Sequence, residues 1–129
     1  MVERLRLERA TTPEFLDTLF VLLADSRRRS ILQVLVERGR PATVHRLAAE
    51  LAALEYDVPV ADVQSDQQHE LFLELAHVHL PLLDDTGMLA WDRETERVAL
   101  TPLLDQLSVT VPDLRGLFAA AVPGWSEPR

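Results

Sequence analysis

The chain has 129 residues, of which 21 are acidic and 13 are basic, and its formal net charge at pH 7 is −8. This length predicts one domain with a single hydrophobic core. Cysteine is absent from the sequence, so disulfide frameworks and thiolate metal sites are excluded. The acidic balance argues against loose, sequence-independent DNA binding, because such binding depends on the neutralisation of phosphates.

All 13 basic residues are arginine. An acid excess with no lysine is typical of proteins from cells with molar internal salt, although a GC-rich codon bias also replaces lysine by arginine. We therefore expect the protein of a halophilic archaeon. In molar salt the Debye length falls to about 3 Å, so repulsion from DNA would be short-ranged. The first residues do not resemble a signal peptide and no apolar run has membrane-spanning length, so we expect a cytoplasmic protein with no membrane contact.

The first two helices are predicted from their start and stop signals. Thr12-Pro13-Glu14 provides a capping hydroxyl, a proline at the first helical position and an acid in the first turn. A helix is expected from there to about Ala24. Asp25-Ser26 caps a second helix, Arg27 to Arg38, which ends at Gly39.

The third helix follows a short connector. Arg40–Ala42 is interpreted as the connector, and Thr43 caps a helix whose apolar residues keep helical spacing to Leu54. Residues 55–66 break this pattern and are predicted to form a loop.

A fourth, longer helix is predicted for residues 66–85. Ser65-x-x-Gln68 has the pattern of a capping box at its start, and the helix stops before Gly87. Pro81 lacks the amide that would bond the carbonyl of His77, so a bend is expected there.

A β-hairpin and a last helix complete the chain. Two short alternating segments, Met88–Trp91 and Arg97–Leu100, predict the hairpin strands. Thr101-Pro102 repeats the helix-start signal, Pro112 interrupts the helix that follows, and residues 114–122 form a further apolar piece.

This order predicts a mainly α-helical protein with a small β-hairpin wing (α+β), arranged as a winged helix-turn-helix with flanking N- and C-terminal helices. The expected organisation is an N-terminal arm at 1–11, the winged helix-turn-helix domain at 12–101, and a C-terminal helical extension and tail at 102–129. The terminal helices have apolar faces of their own, so we expect a homodimer that pairs through them.

Several segments resemble known proteins. Leu23–Leu32 resembles the opening helices of ArsR-type winged-helix regulators, and His79–Leu89 resembles the end of their recognition helix. The wider pattern, His77–Pro81 with Gly87, Trp91–Thr95 and Leu100-Thr101, resembles a haloarchaeal winged-helix domain family whose function is largely unassigned. The resemblance covers about residues 14–101, and it implies the fold and the lineage but not the function.

Three positions depart from the pattern of that family. Leu82 stands where relatives tend to have a polar or basic residue, and Ala76 stands where they often have a second histidine. Glu96 occupies a hairpin position that commonly holds glycine because its φ is positive. We therefore expect either a strained wing tip or a different type of turn.

The predicted fourth helix is apolar on two faces, and such a helix is normally covered on both sides. One stripe, which the resemblance to ArsR-type regulators implies is buried, is Phe72, Ala76, His79, Leu80 and Leu83. The other stripe, a candidate binding face for a protein partner, is Leu71, Leu75, Val78 and Leu82. A DNA-reading helix would instead present Arg, Lys, Asn, Gln or Ser to base edges. The outward candidates here are Gln67, Gln68, Glu70, Glu74, His77 and Asp84.

Eight residues form the candidate DNA-binding set. The arginines at 27–29 could hold a phosphate at the start of the second helix, although an ion pair with an acid such as Asp25 or Glu14 is the favoured interpretation. Arginines on the third helix and on the wing would complete a phosphate-contacting rim, and a short hairpin reaches a minor groove readily. The full set is Arg27, Arg28, Arg46, Gln67, Gln68, His77, Arg93 and Arg97.

No metal site, cofactor or catalytic site is expected. His77 and His79 lie on different faces of a regular helix and cannot chelate one ion. His79 is interpreted as a core histidine with satisfied hydrogen bonds, His77 as a surface or interface residue, and Trp91 as core packing. No nucleophile has a plausible base and no glycine-rich phosphate loop occurs, so an enzyme is not expected.

Three functions remain open. The leading one is a dimeric transcriptional regulator that contacts double-stranded DNA through the recognition helix (about 66–85) and the wing (about 88–100). The alternative is a winged-helix protein–protein interaction module that does not bind DNA and uses the face of Leu71, Leu75, Val78 and Leu82. The third is a small-molecule sensor whose ligand lies in the dimer interface near Trp91 and the C-terminal helix.

Overall fold

The structure is a computed structural model that describes residues 4–9, 12–104 and 106. Its helices are α1 (Pro13–Ala24), α2 (Ser26–Arg38), α3 (Val44–Tyr56), α4 (Ser65–Glu74) and α5 (Leu80–Asp85), and a π-helical turn (Leu75–His79) joins the last two. Its strands are β1 (Ala42–Thr43), β2 (Leu89–Asp92) and β3 (Arg97–Leu100), and short 3-10 turns lie at Leu7–Arg9 and Val60–Asp62. We call the continuous helical run 65–85 the long helix. The prediction of a mainly helical α+β protein is confirmed.

The predicted caps of the first helices are confirmed. The Thr12 hydroxyl accepts a hydrogen bond from the amide of Phe15 at 3.3 Å. The Asp25 carboxylate accepts from the amides of Arg27 and Arg28 at 2.8 and 3.3 Å. These bonds satisfy N–H groups that have no partner inside the helix.

The predicted end of α2 and start of α3 are also confirmed. α2 ends at Gly39, whose φ of 66° is left-handed and whose amide donates to the carbonyl of Leu35. Thr43 caps α3 by accepting from the amide of Arg46 at 3.1 Å. Glycine is favoured at such a helix end because it has no Cβ.

The connector at residues 40–42 contains the start of a strand that was not predicted. Ala42 and Thr43 pair antiparallel with Val98 and Arg97 of β3. The hairpin strands pair as expected, so the sheet has three strands in the order β1-β3-β2. Two residues are too few to show an alternating pattern, and the strand therefore has no periodic signal in the sequence.

The start of the long helix differs by one residue from the predicted capping box. The helix begins at Ser65, and the cap residue is Gln64. The amide of Gln64 donates to the side-chain oxygen of Gln67 at 3.0 Å. In a capping box this is the bond from the cap residue's amide to the side chain three residues later. Within the predicted loop, α3 continues to Tyr56 and one 3-10 turn forms before the long helix.

The π turn lies immediately before Pro81, the position where the helix was expected to bend. The amide of Leu80 donates to the carbonyl of Leu75, five residues earlier. Pro81 has no amide to continue the regular ladder. A π turn inserts one extra residue, so every later side chain is displaced by one position around the helix axis.

That displacement corrects the expected apolar faces of the long helix. Leu71 and Leu75 are 2% and 1% exposed and lie in the core, so they cannot form part of a partner-binding face. Of the stripe that was expected to be buried, His79, Leu80 and Leu83 are buried, and Phe72 and Ala76 are partly buried. A regular helix would also have turned Val78 towards the core. Val78 is instead 50% exposed.

Both ends of the described chain pack on the same core. The amide of Leu5 donates to the carbonyl of Thr86 at 2.7 Å, and its side chain is buried. At the other end Leu103 and Leu104 are buried, and the amide of Gln106 donates to the carbonyl of Pro102 at 3.0 Å, as expected at the start of a helix. The predictions for Leu107, Pro112 and the piece at 114–122 lie outside the described residues.

The wing tip contains the predicted positive φ. Glu96 has a φ of 56°, in the left-handed region. The Asp92 carboxylate accepts from the amides of Glu94 and Thr95 and so fixes the turn before it. A side chain at such a φ is strained by its Cβ.

We expect Glu96→Gly to raise the free energy of unfolding by about 0.5–1 kcal/mol, because relief of the left-handed strain exceeds the entropy that glycine loses on folding. Chemical denaturation in molar KCl would measure this change. Thr95→Gly is the control, since it introduces the same flexibility in the same turn without relieving positive φ, and it should destabilise the protein. The expectation is wrong if both variants lose stability to the same extent.

Candidate functional site

Three elements meet at the root of the wing. The side-chain amide of Gln68 donates to the carbonyl of His45 at 2.9 Å. The His45 ring stacks on Phe72, with 4.3 Å between the ring centroids and 9° between the planes. His45 Nε2 also lies 3.9 Å from Glu96 Oε2 on the wing. We call this region, formed by His45, Arg46, Gln68, Phe72, Glu96 and Arg97, the wing junction.

Two predicted phosphate-contacting arginines lie at the wing junction. Arg97 faces Thr43 across the β1–β3 pair and is exposed, and its guanidinium has no hydrogen-bond or ion-pair partner in the described part of the chain. Arg46 is already paired, with its Nε 3.2 Å from Glu50 Oε1. Arg38 binds the same carboxylate oxygen at 2.8 Å, so Glu50 is shared between two cations.

The remaining wing arginine lies on an aromatic ring. The guanidinium of Arg93 is 4.5 Å from the centroid of the Trp91 ring, which is a cation–π geometry. Trp91 is half-buried and packs on the core, as expected. Its backbone amide donates to Asp84 at 3.2 Å and so links β2 to α5. Arg93 therefore helps to cover the tryptophan.

Arg27 joins three helices. Its Nε and Nη2 donate to the two carboxylate oxygens of Glu55 at 2.6 and 3.0 Å, and its Nη1 contacts Glu74 on α4. The hydrogen bond from Glu55 raises the pKa of Arg27 above its usual value, with a smaller opposing effect of burial. The expected ion pairing with an acid is confirmed for Arg27, and its partners are Glu55 and Glu74 rather than Asp25 or Glu14, which were given as examples. Asp25 uses its carboxylate as a helix cap.

Arg28 hydrogen-bonds to carbonyls at the C-terminus of α1. Its Nη2 and Nε donate to the carbonyls of Val21 and Leu22 at 2.8 and 3.0 Å. Arg29 donates in the same way to Leu23 at 2.7 Å. Cations at a helix C-terminus satisfy carbonyls without partners and interact favourably with the helix dipole. The arginine run therefore holds the corner between α1 and α2.

His79 is buried between the long helix and that corner. It is 2% exposed, its Nε2 lies 3.0 Å from Glu74 Oε1, and its Nδ1 lies 3.5 Å from Arg28 Nη1. A neutral ring with its proton on Nε2 satisfies both contacts, since it donates to Glu74 and can accept from Arg28. Burial lowers the pKa of His79, and the nearby arginines lower it further against the opposing effect of Asp25. The interpretation of a satisfied core histidine is confirmed.

The two glutamines predicted to read bases have structural roles instead. Gln67 accepts from the amide of Gln64, and Gln68 donates to His45. His77 is exposed, as expected. Between its two ends the long helix exposes Asp66, His69, Glu70, Leu73, His77 and Val78, and we call these residues the outward stripe. Arginine is absent from it.

Residues 4–9, 12–104 and 106 contain neither a cluster of metal ligands nor a helix that could span a membrane. No group of three or more potential metal ligands comes together there. No helix in these ranges is both long enough and apolar enough to cross a membrane.

One family model, described as a domain of unknown function (DUF7344), matches residues 20–99. The chain belongs to this family. The matched DUF7344 region begins within α1 and ends within β3, and it includes all eight candidate DNA-binding residues. Comparisons with curated proteins and with solved structures gave no match.

We expect the stability of this DUF7344 protein to fall as the pH decreases through about 6.5, the ordinary pKa of histidine. The unfolded chain binds a proton at His79 at higher pH than the folded chain does, because the folded-state pKa is lowered. The stabilisation that results from the lowered pKa of His79 is complete above that pH and is lost progressively below it. Chemical denaturation between about pH 8 and about pH 5 would measure the slope.

The variant His79→Gln should flatten this slope, whereas His77→Gln, at an exposed position two residues away, should leave it unchanged. Equal slopes for the wild type and His79→Gln would contradict the lowered pKa.

Proposed function

We propose that this DUF7344 domain is a winged-helix module that binds a protein partner through the outward stripe of the long helix. The element order α2-β1-α3-long helix-β2-β3 and the sheet order β1-β3-β2 support a winged-helix arrangement. In that arrangement the long helix has the place of a recognition helix and the β2–β3 turn is the wing. The proposal depends on what that helix exposes.

The outward stripe is the observation that carries the proposal. Asp66 and Glu70 present two carboxylates, and Leu73 between the histidines is 42% exposed. Two carboxylates would face the phosphates of a duplex, and the stripe has none of the arginine or amide groups that read purine edges. An exposed leucine beside carboxylates is complementary to a protein surface with apolar and basic side chains.

The internal contacts of the candidate DNA-binding arginines also favour a protein partner over DNA. Four of the five make contacts within the protein: Arg27 with glutamates, Arg28 with carbonyls, Arg46 with Glu50, and Arg93 with Trp91. Transferring such an arginine to a phosphate would leave its protein partner unsatisfied.

DNA binding is the second candidate, and the wing junction is the observation that favours it. Arg97 is free in the described part of the chain, and Arg46 and His45 lie at the N-terminus of α3 beside it. In this alternative the wing junction would contact phosphates without reading bases.

We expect no binding to duplex DNA by fluorescence anisotropy between about 0.2 M and about 2 M KCl, either for DNA from upstream of the protein's own gene or for an unrelated duplex of equal length. The DNA alternative predicts an affinity that decreases with salt and that Arg97→Gln weakens, while the control Arg40→Gln, at another exposed arginine, leaves it unchanged. That result would overturn the protein-binding proposal.

For the partner itself, tagged full-length chain would be used to purify bound proteins from native lysate in molar KCl. Leu73→Ser should lose a protein that the wild type and the control Leu54→Ser both retain. Leu54 is also an exposed leucine, at 54%, but it lies on α3. Substitutions at exposed positions change stability by about 0.5 kcal/mol or less. Loss of the protein with both variants, or with neither, would contradict a role for the outward stripe.

A homodimer through α1 is supported by a second exposed apolar surface. Phe20 and Val21 are 49% and 48% exposed, and Ala24 follows one turn later on the same face. This half of the α1 surface is apolar, whereas Asp17 and Glu14 are exposed on the preceding turns. The expected contribution of the C-terminal helix to dimerisation lies mostly outside the described residues.

Phe20→Ser is expected to shift the protein from dimer to monomer in sedimentation velocity. Tyr56→Ser is the matched control, because Tyr56 is an aromatic residue of similar exposure (46%) on α3. A wild-type protein that sediments as a monomer, or a dimer that survives Phe20→Ser, would exclude this interface.

A further inference from the structure

A cavity of about 420 Å³ lies between the end of α2 and the end of β3. Its volume falls in the range of small-molecule sites. The wall is largely aliphatic and consists mainly of Leu35, Val36, Pro41, Leu100, Pro102 and Leu104. The cavity is separate from the wing junction and from the outward stripe of the long helix, which contribute none of its lining residues.

The polar groups of the wall are largely used within the protein. The Thr101 hydroxyl donates towards the carbonyls of Gly87 and Met88, at 2.7 and 3.1 Å, and accepts from the amide of Leu103. The amide of Gly39 donates to the carbonyl of Leu35. A ligand therefore meets mostly hydrocarbon in this cavity.

Arg40 is the exception. It lines the cavity, is exposed, and makes no hydrogen bond or ion pair in the described part of the chain. A free guanidinium beside an aliphatic wall is complementary to a carboxylate on an apolar body. The carbonyls at the C-terminus of α2, two residues before Arg40, oppose an anion, so the attraction for the carboxylate comes from the Arg40 guanidinium. The apolar body then packs against Val36 and Leu100.

We propose that this cavity binds a small organic anion, a carboxylate with an aliphatic body, whose charged group pairs with Arg40. The site differs from the ligand position expected near Trp91, since Trp91 does not line the cavity. It is also independent of the proposed protein partner, because no residue of the outward stripe lines the cavity.

The test uses the full chain with its leucine and valine methyl groups labelled for NMR, in molar KCl. Hexanoate, 1-hexanol and hexylammonium have the same chain length and differ in charge. We expect hexanoate to shift the methyl signals of Val36, Leu100 and Leu104, and to bind about two- to fivefold more tightly than hexanol, as an exposed ion pair allows. Hexylammonium should bind most weakly.

Two variants separate the charge from the cavity. Arg40→Gln should reduce the affinity for hexanoate to that for hexanol and leave hexanol binding unchanged, whereas the control Arg97→Gln should affect neither. Ala99→Leu adds carbon atoms to the wall and should weaken both ligands, with an unchanged methyl spectrum elsewhere to show that the fold is intact. The proposal is overturned if no ligand shifts these methyl groups, if hexylammonium binds as tightly as hexanoate, or if Arg40→Gln leaves the preference for hexanoate unchanged.

Discussion

The π turn at Leu75–His79 determines the surface of this protein, because it moves the buried stripe of the long helix by one residue. A regular helix would have turned Val78 and Leu82 towards the core together with Leu75, whereas Val78 is 50% exposed in the structure. With the extra residue the imidazole of His79 is buried, and it requires the carboxylate of Glu74 and the guanidinium of Arg28 as partners. Those partners connect the long helix to the corner between α1 and α2. One irregular turn therefore sets the core, the ionic contacts around it and the face that remains outward.

The same ionic contacts limit what the protein can bind. Arg27 neutralises Glu55 and Glu74, which approach each other where three helices meet. If Arg27 bound a phosphate instead, the carboxylates of Glu55 and Glu74 would lie close together without a cation. Leaving a partly buried charge unpaired lowers the stability of the fold. Molar salt screens distant charges but has much less effect on contacting pairs of this kind. A count of arginines in the sequence therefore overstates the positive charge that is free to bind a partner.

Local signals made much of the fold predictable. Thr12, Asp25, Thr43 and Gly39 act within one turn of their own position, and each has the predicted role. The partners of Arg27 could not be predicted, because Glu55 and Glu74 lie far away in the chain and meet it only after the helices pack. His79, Leu80 and Leu83 are buried as expected, but Leu71, Leu75, Val78 and Leu82 do not form one exposed face. Pro81 signalled an irregular helix, and a proline does not specify whether the backbone bends or inserts a residue. Gln67 and Gln68 are of a residue type that reads base edges, but Gln67 caps the long helix and Gln68 links that helix to α3.

Within the described part of the chain, the three surfaces proposed to bind a partner or a ligand differ in chemistry. The long helix exposes Leu73 between acids and histidines, α1 exposes Phe20 and Val21, and the cavity between α2 and β3 combines an aliphatic wall with Arg40. A contiguous apolar surface such as that of Phe20 and Val21 favours binding to a protein, and a concave aliphatic site favours a small molecule. DNA binding alone would use Arg97 and the wing but would leave all three surfaces without a role. The proposals of a protein partner, a homodimer and a bound small anion each account for one of these surfaces by its own residues.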